Sequence, residues 1–408
     1  MRTGTMIDKT MPPSVPELAR KAAIVGLGET DFGDDYRAQR AKAEGFEPRT
    51  PERLAEIAFE RALADSGLER KDIDGLATSF LYGGPQPGEV AQMLGLRPRH
   101  TMEVFGIMAG PIPQVCAAIA AGKCDTMAVV YAVASRSINR KFGGEKMDDD
   151  SGAPATYYYY HPWGWSSQAA HWAMCWQVYR HRWGLAEEDL GEVAMQLRRN
   201  AQGWPQATMQ APMTIEDYMG ARFIVKPLRL FDMCLVNDGG ICFIVSRADK
   251  ARDCAKPPVT VAGWGEAVVK ADKLDTLIRR QLRPQFQAAG AQALGMAGLS
   301  RADIGHFEGY DAATMHLVNH IEGHGFAEPG TTLERFRQGD FAPGGKLPVN
   351  TAGGMLSGAY MHGWNHVAEA VRQLRHEAGA RQTPGLSAAM TSLAQTDQVH
   401  PIVFTREA

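Results

Sequence analysis

The sequence predicts an α/β protein made of two duplicated halves, stacked as a five-layer α/β/α/β/α sandwich. Three observations predict it. One thirteen-residue segment occurs twice, helix signals alternate with strand signals in both halves, and 408 residues with 45% hydrophobic side chains suffice for more than one sizeable core. Charge is nearly balanced, 43 Lys+Arg against 46 Asp+Glu. That balance gives no electrostatic reason to expect nucleic acid or an anionic membrane as partner. No apolar run approaches the roughly 20 residues that span a bilayer.

The repeat pairs residues 62–74 (ALADSGLERKDID) with 293–305 (ALGMAGLSRADIG), and seven of thirteen positions are identical without a gap. Thr50 ahead of Pro51 reads as a capping hydroxyl followed by proline at the first helical position. Leu54, Ile57, Ala58 and Leu63 then recur at helical spacing. Gly67 and Gly298 stand where a helix end takes left-handed backbone. Short apolar stretches at 76–80 and 306–310 follow and read as strands. Each half has a second helix-then-strand pair, at 111–122 and 126–131 in the first and at 367–378 and 386–394 in the second. The chain therefore divides into a flexible arm over 1–20, a first half over 21–265 and a second half over 266–408.

The first half carries an aromatic-rich insertion, about 136–225, with Tyr157, Tyr158, Tyr159 and Tyr160 and then Trp163, Trp165, Trp172, Trp176 and Trp183. Aromatic side chains pack more often than they bind, so this reads as a small helical subdomain with its own core or a dimer contact. A lid over a large apolar ligand is the alternative. The six cysteines form no C-x-x-C pair, and residues 1–20 lack the apolar stretch of a signal peptide. Reduced, buried thiols in a cytoplasmic protein are expected. His316, His320 and His324 would line one helical face. No Glu motif or nearby Cys completes a zinc site there, so no metal is expected. Arg198 and Arg199 read as a solvated helix face, with coenzyme A phosphates as the alternative.

Four stretches resemble the thiolase superfamily, in particular the sterol-carrier-protein-type thiolases and their non-thiolase relatives. They are 21–33 (KAAIVGLGETDFG), 117–130 (AAIAAGKCDTMAVV), 227–252 (PLRLFDMCLVNDGGICFIVSRADKAR) and 346–375 (KLPVNTAGGMLSGAYMHGWNHVAEAVRQLR). The resemblance covers nearly the whole chain after Arg20 and is most specific at 348–358, with its Asn-x-x-Gly-Gly loop. It implies the thiolase fold. Family thiolases use a nucleophilic Cys, two loops that bring His or Asn to an oxyanion hole, and a second Cys as acid/base. Carried over position by position, the nucleophile falls on Phe105, which cannot attack a thioester. The histidine of the His-Asp-Cys-Phe loop is Tyr310, followed by Asp311, and that of the Gly-His-Pro loop is Tyr360. The second Cys should stand near 392–396, where there is none.

Paired tyrosines at the two histidine positions resemble the thiolase-fold steroid side-chain aldolases of bacterial steroid catabolism. That resemblance implies a retro-aldol lyase cleaving a bulky, steroid-like β-hydroxyacyl-CoA to a ketone and a short acyl-CoA, propionyl-CoA or acetyl-CoA. It also implies a small OB-fold partner, usually with a zinc ribbon, in a homodimer or heterotetramer. No cofactor is expected beyond the coenzyme A of the substrate. The chemistry suits phenols, because it needs one group to take the β-hydroxyl proton and one to stabilise or protonate the enolate. The expected catalytic residues are Tyr310 and Tyr360, with Asp311 and His362 accessory and Phe105, Asn350, Gly353 and Gly354 shaping the substrate site. His362 and His366 replace a Leu and a Gly of the family loop, which makes them candidates for oxyanion donors. The alternatives are a non-enzymatic acyl-CoA carrier or scaffold, and an acyltransferase using Cys116, whose mid-helix position suits attack poorly.

Overall fold

The repeated segment folds twice into the same unit. The helix Pro51–Ser66 starts at Thr50, whose Oγ1 accepts from the Arg53 N–H at 3.3 Å, and ends at Gly67 with φ +71°. The helix Arg283–Ala297 ends at Gly298 with φ +69°. A 3₁₀ turn follows each, Arg70–Asp72 or Arg301–Asp303. Its aspartate accepts a backbone N–H from three residues back, Glu69 to Asp72 at 2.9 Å and Ser300 to Asp303 at 2.7 Å. A short strand comes next. This computed structural model describes residues 12–80, 84–104, 111–140, 167–268, 283–394 and 398–406.

The strands are β1 (Ala22–Glu29), β2 (Gly75–Ser79), β3 (His100–Glu103), β4 (Thr126–Ala134), a hairpin of β5 (Phe223–Val225) and β6 (Leu228–Arg229), β7 (Asp238–Arg247), β8 (Val259–Trp264), β9 (Ala267–Val268), β10 (His306–Gly309), β11 (Ala388–Ala394) and β12 (Gln398–Arg406). All but the hairpin form one sheet in the order β3-β2-β4-β7-β1-β8-β12-β11-β10, with β9 beside β12. The run β10-β11-β12-β8 copies β2-β4-β7-β1, down to the single parallel pair at the same place in each. The halves meet where β1 pairs β8 at only two positions, Ala23↔Thr260 and Ile24↔Val259. Strand β8 pairs β12 at five positions, so this strand, lying before residue 265, is built into the second half-sheet.

Side-chain alternation along the strands separates the layers. Met127, Val129, Tyr131 and Val133 of β4 face a central core with Ile402 and Phe404 of β12, while Ala128, Val130 and Ala132 face an outer one. The central core is filled by the helices Pro111–Ala120 and Trp364–Arg375, and the outer faces carry Pro51–Ser66 and Arg283–Ala297. These are the five expected layers.

Two details depart from expectation. From Pro12 on, the arm is docked: the Pro12 carbonyl accepts from Trp264 Nε1 at 3.0 Å, and Arg20 bonds the Ala297 carbonyl and Thr405. The described part of the insertion has no core of its own. The helix Gln168–Trp183 buries Trp172, Trp176 and Tyr179 in the outer core of the second half, because that core offers an apolar surface already in place. Tyr157 to Tyr160, Trp163 and Trp165 lie outside the described residues. Among the described residues, no helix is long and apolar enough to cross a membrane.

The structure also exposes a second sequence repeat, Gly-x-Gly-Glu at 26–29 and 263–266. A Cβ on Gly26 or Gly28 would overlap the carbonyl of Ala62 or Ala58, and one on Gly263 or Gly265 that of Ala293 or Ala289. In both halves the outer helix thus lies directly on the strand backbone. Gly265→Ala is expected to destabilise the protein by about 1–3 kcal/mol through overpacking. Gly295→Ala, on the same helix with nothing within 4 Å, is expected to stabilise it by up to ~1 kcal/mol through helix propensity. Urea unfolding midpoints of the two variants check both signs.

Candidate active site

Three segments bring the two tyrosines into one core. Tyr310 follows β10, and Tyr360 follows a π-helical turn, Gly354–Gly358. The segment before β7 stitches these loops together. Met233 bridges Ala313, the Cys234 N–H bonds the Ala312 carbonyl at 3.1 Å, and the Leu235 N–H bonds the Met355 carbonyl at 3.0 Å. Asn237 Oδ1 then accepts the Tyr360 N–H at 3.0 Å, while its Nδ2 donates to Thr208 Oγ1 at 3.0 Å. Tyr310 and Tyr360 are 7% and 8% exposed in the same central core, so each phenol sits at the margin of the interior. Asn237 was not singled out in the sequence, because its partners Thr208 and Tyr360 are distant along the chain.

Asp311 is turned toward the neighbouring loop and helix. It is fully buried, and its oxygens accept the Met355 N–H at 2.9 Å, the Leu356 N–H at 3.3 Å and His366 Nε2 at 3.0 Å. The carboxylate is therefore a strut under the π-turn. Gly354 must be glycine, since its φ is +57° and a Cβ would overlap the Asp311 carboxylate. Asn350 is a second strut: its Oδ1 accepts the Gly309 N–H and its Nδ2 donates to the Gly309 carbonyl, both at 2.8 Å. With its amide engaged this way, Asn350 shapes the loop that carries the site. Gly353, with φ +88°, turns the chain into the π-turn.

His366 also leaves the substrate side. Its Nδ1 bonds Glu308 Oε2 at 2.6 Å and its Nε2 bonds Asp311, which rules it out as an oxyanion donor. Burial pushes its pKa down, but the bonds to Asp311 and Glu308 and their charges outweigh burial and raise it to about 9. Burial pushes the Glu308 carboxyl up, and bonds from His306 and His366 overcome this and hold it below its usual value. His362 differs. Its Nδ1 pairs with the Tyr131 hydroxyl at 2.5 Å, its ring lies 4.4 Å from that of Tyr360, and burial brings its pKa down to about 3. It is a neutral neighbour of Tyr360, held at φ +49° by its place in the turn.

On the other side, the Tyr310 ring lies 5.3 Å from His316, which stacks on Trp172 at 4.1 Å. His320 and His324 both bond Ser392 Oγ, at 3.1 and 2.7 Å, and the Ser392 carbonyl accepts the Tyr310 N–H. Burial lowers the pKa of both, that of His324 to about 3. The three aligned histidines thus pack behind Tyr310, with His320 and His324 held neutral, and the described residues hold no group of three or more side chains suited to a metal ion.

Burial pushes the Cys116 thiol up to about 12 and that of Cys234, beside Asp311, equally far. Neither supplies a thiolate. Phe105 lies outside the described residues. Arg199 is solvated as expected, but Arg198 is buried, because the π-turn crosses over its helix. Its Nε donates to Ser357 Oγ at 3.0 Å, and it lines an open cleft of about 510 Å³ with Pro212, Met213, Asp217 and Phe231.

Residues 278–397 match the family described as thiolase C-terminal domain-like. A steroid side-chain-cleaving aldolase of Thermomonospora curvata is 33% identical over 371 residues, covering 87% of this chain and 90% of that one. A 17-hydroxy-3-oxo-4-pregnene-20-carboxyl-CoA lyase of Mycobacterium tuberculosis is 34% identical over 375 residues, covering 88% and 92%. Among solved structures, an Ltp2-ChsH2(DUF35) aldolase superimposes with a TM-score of 0.81 at 30% identity, covering 95% of this chain and 98% of that one. With likeness of this extent, the chain belongs to the thiolase superfamily, in the family of the steroid side-chain-cleaving aldolases.

Proposed function

We propose that this chain is a carbon–carbon lyase that cleaves a bulky β-hydroxyacyl-CoA by retro-aldol reaction, with Tyr310 and Tyr360 as its acid–base pair. The observation that supports the reading is that both tyrosines stand on stitched loops of one central core, where burial pushes the Cys116 and Cys234 thiols away from the reactive thiolate. One phenol, as its phenolate, takes the proton of the β-hydroxyl. The oxygen's electron pair then forms the ketone carbonyl as the bond between the α- and β-carbons breaks. The released pair moves into the thioester as an enolate, which the other phenol stabilises by hydrogen bonding. A proton passed from the phenol pair to the α-carbon completes a short acyl-CoA, and the proton taken from the β-hydroxyl leaves the pair with the count it began with. Neutral His362, packed on Tyr360 and tied to Tyr131, fixes that side of the site.

The substrate class follows from the relatives' names. A steroid with a hydroxyl on carbon 17 and the thioester carried on carbon 20 would leave a 17-ketone and propionyl-CoA. A shorter side chain would leave acetyl-CoA. By likeness to the aldolase complex, a DUF35 protein is the expected partner. An OB-fold with a zinc ribbon, and a homodimeric or heterotetrameric assembly, complete the proposal, with no cofactor beyond the substrate's coenzyme A.

Co-expressed with a DUF35 partner and given such a thioester, the chain is expected to yield ketone and short acyl-CoA, both followed by mass spectrometry. Tyr310→Phe and Tyr360→Phe are each expected to lower kcat by at least ~100-fold while acyl-CoA binding persists. Binding without cleavage by the native complex across a substrate panel would instead identify a carrier. Intact mass after incubation with acyl-CoA is expected to show no adduct on Cys116 or Cys234, and an adduct on either would establish an acyltransferase.

A further inference from the structure

We propose that His366, clamped between Glu308 and Asp311, is the positioning residue that holds the two tyrosine loops in register. The proposal rests on the lyase reading above. Both ring nitrogens face carboxylate oxygens, Nδ1 to Glu308 at 2.6 Å and Nε2 to Asp311 at 3.0 Å, with all three side chains buried. A carboxylate only accepts, so two such bonds call for a doubly protonated ring. The clamp brackets Tyr310, with Glu308 two residues before it and Asp311 one after. Through the Met355 and Leu356 amides Asp311 also fixes the π-turn that leads to Tyr360. The remaining negative charge is met by these amides, by the Thr351 N–H at 3.2 Å on Glu308, and by His306 Nε2 at 2.9 Å on Glu308.

The fold itself does not call for this ion cluster. In the repeat, Glu308 corresponds to Ala77, a fully buried residue of β2 in the central core, and His306 corresponds to Gly75. The first half builds the same strand at the same place in its sheet without a charge. A buried ion triad costs desolvation free energy that good geometry only offsets, so it is a poor device for stability and a good one for fixing a geometry. The groups facing His366 are Glu308 and Asp311, with His306 behind Glu308 and neutral His320 on the neighbouring helix. Because the folded-state value is raised to about 9, the stabilisation is complete at and below the unfolded value near 6.5 and is lost as pH rises through about 9.

The test uses the native complex and His366→Gln. The imidazole ¹⁵N signals absent from the variant identify His366, and in the native protein they are expected to show a doubly protonated ring at pH 7.5. The variant is expected to lose about 100-fold in kcat, as for a misplaced reacting group, with KM changed less than about threefold. The native urea midpoint is expected to fall between pH 6.5 and 8.5, and that of the variant to stay flat. If His366→Gln does not fold, Glu308→Gln, which leaves the Asp311 bond, carries the same kcat and KM test. A neutral ring at pH 7.5, or native cleavage with kcat unchanged in the variant that folds, overturns the proposal alone. Absence of cleavage by the native complex overturns the lyase reading and this proposal with it.

Discussion

The site hangs on one carboxylate. Asp311 is fully buried, and an unpaired charge there would cost several kcal/mol. It is satisfied by two amides of the π-turn and by His366, which ties the end of β10, the turn before Tyr360 and the helix Trp364–Arg375 into one unit. That requirement dictates its surroundings. Gly354 is left without a side chain so that the carboxylate fits, and Asn350 locks the neighbouring Gly309 backbone by both ends of its amide. Precision of this kind is what a site with no covalent intermediate needs, since its rate depends on geometry and on charge stabilisation alone.

The same interior explains why thiolase chemistry is absent. A nucleophilic cysteine works as the thiolate and needs a positive or polar environment to form it. Here burial drives Cys116 and Cys234 the other way, and Asp311 adds to the effect at Cys234. Burial also disfavours the charged form of two nearby histidines, bringing His362 and His324 down to about 3. A retro-aldol step needs no thiolate, because a proton leaves a hydroxyl and one returns to carbon, with the charge carried on oxygen throughout.

Much of this was legible from the sequence, and the misses have common causes. The Thr50 cap, the Gly67 and Gly298 stops and the strand after each are local signals, and they folded as read. The two tyrosines could be singled out because the loops that carry them resemble a known pattern, and the structure places both in one core. The part Asp311 plays as an accessory residue was not legible in detail, because its partners, the Met355 and Leu356 amides and His366, lie more than forty residues along the chain. Arg198 was misjudged because a chain crossing over a helix is a tertiary fact, invisible to the helix's own periodicity. The Gly-x-Gly-Glu repeat was short enough to escape notice until both copies were seen pressed under matching helices.

Duplication lets the two halves be compared as experiment and control. Both build the same strand order and the same helix-on-glycine seam, so the fold's own requirements are those they share. Their difference lies at the strand end, where Gly75 and Ala77 stand in the first half and His306 and Glu308 in the second. Four histidines of the second half show what that difference does. His320, His324 and His362 meet hydroxyls and aromatic rings and are held neutral, whereas His366 meets two carboxylates and is held charged. The local polarity is therefore set by which acids the end of β10 presents, not by how deeply each ring is buried. An apolar residue at position 308 would leave the strand intact and His366 with one acid in place of two. The carboxylates at 308 and 311 are thus what convert a duplicated structural element into the framework of a site.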